Sequence, residues 1–172
     1  PSLCSWSYLL IKTNEIIEKF TVGKDRELDV HLSEFDVYGS IAHAIMLESI
    51  GLITKNELTA LIAECKSIIE DQIIPGKFKI EDGIEDVHSQ IEFMLTSKLG
   101  DTGKKIHSGR SRNDQVLVDL KMYLRSKIEE ITNNTQSLFD NLIVKSNKHQ
   151  ADLLPGYTHL QIAMPSSFGM WF

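Results

Sequence analysis

From about Arg112 to Ala151 the apolar side chains Leu117, Leu120, Leu124, Ile128, Ile131, Leu138 and Leu142 recur in steps of three, four or seven. That spacing lays them along one narrow stripe of a single helix. At 1.5 Å per residue such a helix runs to roughly 55 Å, longer than a compact domain of this size usually spans. It has to pack along neighbours of similar length, and the 172 residues hold one such helix. The partners are expected from other subunits or from further chain.

The rest of the sequence also reads as helices. Residues 34–50 place Tyr38, Ile41, Ala42 and Ile45 on one helical face, and Gly51 follows as a C-terminal stop. Thr54 with Glu57 three residues on forms a capping-box pattern ahead of Leu58, Leu61, Ile62, Cys65, Ile68 and Ile69. Pro75-Gly76 ends that helix or follows soon after its end. A third helix is expected from near Asp82, with Ile84, His88, Ile91 and Leu95 on its stripe and Gly100 closing it. Residues 101–111 are rich in glycine and small polar side chains and read as a loop. After Leu154-Pro155-Gly156 the chain turns, and Pro165 reads as the first turn of another helix. No segment reads firmly as a strand; Ile73-Ile74 and Phe78-Lys79-Ile80 come nearest to an extended pair. The chain stops at Phe172 on aromatics that this last helix has not yet buried, which reads as truncation.

Charge narrows the function. A formal net charge of −6 argues against a nucleic-acid partner, which needs a basic face. The apolar run from Trp6 to Ile11 is far shorter than the roughly 20 residues a membrane helix needs. Cys4 and Cys65 are widely separated and form no CxxC pair, so neither a disulfide framework nor a zinc site is indicated. A reducing, cytoplasmic setting is the natural expectation.

Three segments hold the candidate chemistry. Ser108-Gly109-Arg110-Ser111-Arg112-Asn113-Asp114-Gln115 is a glycine-containing loop that opens the long helix. A helix start offers free N–H groups and the positive end of the dipole, and guanidinium groups grip carboxylates in a bidentate fashion. The loop suits a small dicarboxylate; equally, Ser111 or Asn113 merely caps the helix and the arginines are solvated. The second segment, Gly156-Tyr157-Thr158-His159-Leu160-Gln161, presents His159 as an acid–base group, or else as a structural histidine bonded to a carbonyl. The third, Glu85-Asp86-Val87-His88, puts a histidine on an apolar face, where a buried, satisfied side chain is the commoner outcome. His31, His43, His107 and His149 have no metal-ligand spacing.

In this order the three segments resemble the argininosuccinate lyase family of the fumarase/aspartase superfamily. Ser-Gly-Arg-Ser-Arg-Asn-Asp-Gln at 108–115 and Pro-Gly-Tyr-Thr-His-Leu-Gln at 155–161 are close to its signatures, and Glu85–His88, Asp29 and Phe35–Ser40 also fit. The resemblance runs from about Phe20 to Phe172. It implies an all-α chain: an N-terminal helical domain over residues 1–111, then, over 112–172, the first long helix of a central helical bundle. It also implies a homotetramer whose active sites draw on several subunits. The implied reaction is a reversible β-elimination of argininosuccinate to arginine and fumarate, serving arginine biosynthesis, with neither metal nor organic cofactor. By position, Ser111, Arg112, Asn113, Thr158 and His88 are the implied substrate-binding residues and His159 the catalytic acid–base group; Arg110 is a weaker candidate.

Some positions depart from the family pattern. The usual Leu-Trp-Gly-Gly-Arg-Phe-like opening is matched only by Trp6, and the stretch from Thr21 to Asp25 lacks the serine that many members use. The family's mobile loop with the catalytic serine and a lysine lies beyond residue 172, so these residues alone are expected to bind weakly and not to turn over. Other readings are a superfamily lyase with a different leaving group, such as an adenylosuccinate lyase, a non-catalytic crystallin-like relative, or a helical interaction module.

Overall fold

The computed structural model describes Phe20 and residues 22–172. Cys4 and the apolar run from Trp6 to Ile11 lie outside the described residues. The chain forms two compact units, one reaching to Tyr123 and one running from Leu124 to Phe172.

In the first unit, α1 (Asp25–Leu28) and a 3-10 turn (Asp29–Leu32) lead into α2 (Ser33–Ser49). There follow α3 (Lys55–Ile68) with a π-helical turn (Ile69–Ile73), α4 (Val87–Leu99), α5 (Asp101–Lys104), a second 3-10 turn (Lys105–His107) and the start of α6 (Arg112–Lys148). Local chemistry sets these limits. The Thr54 hydroxyl accepts from the Glu57 N–H at 3.3 Å while the Glu57 carboxylate accepts from the Thr54 N–H at 2.8 Å, the reciprocal cap expected from the sequence. The expected start of α4 near Asp82 moves to Val87, because Asp86 is the residue whose carboxylate accepts from the Ser89 N–H, at 2.8 Å. The stretch 101–111 is more ordered than expected: α5 and the 3-10 turn leave only Ser108–Ser111 as loop.

The buried face of α2 is not the expected one. Tyr38 and Ile45 stay exposed, whereas Ser33, Asp36, Val37, Ser40, Ala44 and Leu47 turn inward. The polar groups on this inner face have partners: Asp36 from α4 and α6, Ser40 from Arg110 of the 108–111 loop, and Ser33 from the Val30 carbonyl. The apolar core lies beside them, with Val37 and Leu47 from α2, Leu61, Cys65 and Ile68 from α3, and Val87, Ile91 and Leu95 from α4. Burial pushes the Cys65 thiol up to about 12, so it serves the core as a small hydrophobe.

In the second unit the remainder of α6 carries Leu124, Ile128, Ile131 and Leu138, each more than half exposed. The apolar stripe read from the sequence is there, and these four side chains stay exposed among the described residues. No described helix is long and apolar enough to cross a membrane. The segment expected to turn and begin a helix at Pro165 is instead an antiparallel hairpin, β1 (Leu153–Thr158) with β2 (Gln161–Ser167). Pro155 pairs with Pro165, and neither has an N–H to give. A two-stranded ribbon consists of edges only, which is where strand proline is tolerated. The short α7 (Phe168–Trp171) follows, with the Ser167 hydroxyl accepting from the Met170 N–H.

Candidate active site

The loop Ser108–Ser111 delivers its residues to the head of α6. Ser111 and Asn113 are exposed, and the Asn113 N–H donates to the Ser111 hydroxyl at 3.3 Å. Ser111 therefore does cap the helix, and its exposed hydroxyl lies at the positive end of the α6 dipole. Arg112 is half-buried. Its Nη2 donates to Ser89 Oγ at 3.0 Å, and its Nη1 lies 3.3 Å from Asp86 Oδ1. Arg112 is thus aimed by the first turn of α4, with Asp86 serving both as cap and as counter-charge.

Behind this loop lies a buried polar cluster. His88 Nδ1 donates to Asp36 Oδ1 at 2.8 Å, and Gln115 Nε2 donates to the same oxygen at 3.3 Å. Asp119 Oδ2 lies 3.5 Å from His88 Nδ1. Asp36 Oδ2, both Asp119 oxygens and Gln115 Oε1 are buried without a hydrogen-bond partner. Burial and the neighbouring Asp36 carboxylate push the Asp119 carboxyl up to about 7. Asp36, His88 and Asp119 hold their ligand-capable atoms within 4.8 Å of one another, a donor set that also suits a cation. The Arg110 guanidinium sets a positive charge against both carboxylates.

His88 is therefore fully inside, held by Asp36, while Ser111 and Asn113 face solvent and Arg112 sits between. In the second unit, Thr158 ends β1, and His159 and Leu160 form the two-residue hairpin turn, exposed and with φ of 47° and 64°. Such left-handed values cost a non-glycine residue roughly 1–2 kcal/mol. Backbone strain of this kind concentrates at functional sites.

Sequence reasoning gave no role to Asp36, Ser40, His43, Ser89, Gln115 or Asp119. The available signal was the placing of Ser33, Asp36 and Ser40 at helical spacing among core residues, and of Gln115 and Asp119 four apart on α6.

The sequence profile of a lyase family matches residues 8–172. The chain belongs to that lyase family. It is 61% identical to argininosuccinate lyase of Phocaeicola vulgatus and 60% identical to that of Bacteroides thetaiotaomicron, each match covering 94% of this chain and 36% of the relative. The chain thus spans about a third of the length of the curated relatives it matches. Its fold is shared with the crystal structure of a fumarate lyase from Mesorhizobium sp. BNC1, at a TM-score of 0.58 and 22% identity over 93% of this chain and 37% of that one.

Proposed function

We propose that the protein, at full length, cleaves argininosuccinate reversibly into arginine and fumarate. The observation that carries this reading is the head of α6, where Ser111, Arg112 and Asn113 gather donors at a helix N-terminus and Asp86 and Ser89 hold the guanidinium in place. The roughly 60% identity to argininosuccinate lyases supports argininosuccinate as the substrate.

In this reading Ser111, Arg112, Asn113 and Thr158 bind the substrate carboxylates, and His159 serves as an acid–base group. A base takes the proton from the carbon next to a carboxylate. The resulting carbanion is held as a doubly charged carboxylate, stabilised by N–H and guanidinium donors. The C–N bond then breaks, the electron pair stays with the guanidino nitrogen, and an acid protonates it. His88 acts from beneath, ordering α4 so that Ser89 and Asp86 can steer Arg112. The exposed stripe of α6 packs against the same stripe in further copies, giving a homotetramer with sites shared between subunits. Arginine biosynthesis in the cytoplasm is the setting this activity fits.

The test is product analysis with the full-length protein, supplying argininosuccinate and adenylosuccinate separately. Equimolar arginine and fumarate from the first alone is the expected result. Cleavage of adenylosuccinate, or of neither by a folded sample, overturns the assignment.

A further inference from the structure

Resting on that reading, we propose that Arg110 is a positioning residue that, together with His43, clamps the Ser108–Ser111 loop, and with it the head of α6, onto α2, leaving substrate contact to Ser111, Arg112 and Asn113.

The loop meets α2 at two points less than a turn apart. His43 Nε2 lies 3.0 Å from the Ser108 carbonyl oxygen, and Arg110 Nη1 donates to Ser40 Oγ at 2.9 Å. A carbonyl only accepts, so the imidazole carries its proton on Nε2. Between these two anchors sits Gly109, at φ 66°. That left-handed turn lets residues 108 and 110 both reach the same helix.

The Arg110 side chain is turned inward. A Cβ on Gly39 would come within 3.2 Å of Arg110 Nη2, 3.5 Å of Asp119 Oδ1 and 3.8 Å of Val118 Cγ1. The guanidinium therefore fills the space that a glycine leaves open between α2 and α6. Asp36 and Asp119, whose orphaned oxygens are buried there, supply its counter-charge. With one nitrogen on the Ser40 hydroxyl and its charge set against two buried carboxylates, this guanidinium is engaged inside the fold. Ser111 and Asn113, in contrast, are exposed, and Arg112 between them is half-buried against Ser89 and Asp86. Misplacement of such groups by about 1 Å can cost roughly a hundredfold in rate, so a clamp on the loop bears directly on substrate binding.

The experiment uses the full-length protein and the substitutions Arg110→Met, His43→Leu, His43→Gln and the Arg110→Met/His43→Leu double variant. Steady-state kinetics and amide hydrogen exchange over residues 108–113 are both read. Each of Arg110→Met and His43→Leu is expected to raise KM for argininosuccinate about fivefold or more, with kcat changed less than about threefold, and to speed exchange in the loop. The double variant should be no worse than the poorer single one, because both free the same segment. His43→Gln, which keeps a donor near the Nε2 position, should restore KM and protection. Multiplying KM effects in the double variant would make Arg110 a direct ligand and overturn the proposal. So would a lower Tm with KM and loop exchange unmoved, or a His43→Gln variant as impaired as His43→Leu. If Arg110→Met does not fold, the two half-buried His43 variants still decide. If the folded wild type releases no fumarate, the functional reading fails by itself, and loop exchange alone supports or overturns the clamp.

Discussion

Asp36 and His88 stand 52 residues apart in sequence and meet through a 2.8 Å hydrogen bond that is buried on both sides. The same Asp36 oxygen also takes the Gln115 amide, so one carboxylate joins α2, α4 and α6. Removing it leaves two buried donors unpaired. Asp36→Ala should destabilise the fold by about 3 kcal/mol, measured as a loss of unfolding free energy in urea. A loss below about 1 kcal/mol would mean that the network is dispensable.

Asp119 gives a pH dependence of unusual sign. Its carboxyl is pushed from 3.8 up to about 7, so the folded protein retains a proton that the unfolded chain has released. The stabilisation is fully present below the unfolded value and is lost as pH rises through the folded one. Asp119→Asn stays neutral throughout. Its Tm should therefore gain on the wild type between about pH 4 and about pH 7. A constant gap in Tm across that range would contradict the burial of this carboxyl.

The exposed stripe of α6 predicts assembly. Ile128 and Ile131 are each 63% exposed within the chain. In the full-length protein, Ile128→Asp with Ile131→Asp should lower the oligomeric state seen by sedimentation, because a helical seam cannot bury two carboxylates. An unchanged sedimentation coefficient would place the interface elsewhere.

His159 sits at φ 47°, in a region that asparagine also tolerates. His159→Asn removes the imidazole while keeping the hairpin turn. Turnover of the full-length protein should fall roughly a hundredfold to ten-thousandfold with Tm unchanged. Turnover equal to wild type would remove His159 from acid–base chemistry.

Helix content, the capping box at Thr54 and the stripe of α6 were legible because each is set by neighbours in sequence. The inner face of α2 was not. Its Asp36 and Ser40 look like surface residues until α4, α6 and the loop bring His88, Gln115 and Arg110 to them. The hairpin was hidden for a different reason. Its turn is His-Leu where Asn-Gly is the usual signal, and each strand carries a proline. The motifs at 108–115 and 155–161 stood out by their resemblance to family signatures, whereas the cluster beneath the first is assembled only by tertiary contacts.

The most direct test of the account is the initial rate of fumarate appearance, followed by ultraviolet absorbance, for the full-length protein and its Arg112→Ala variant across argininosuccinate concentrations. Loss of a charged hydrogen-bond donor to a carboxylate costs about 1.5–3 kcal/mol. Saturable fumarate release by the wild type is therefore expected, with a KM raised roughly tenfold to a hundredfold in the variant. No fumarate from a folded wild type, or the same KM in both proteins, would contradict it.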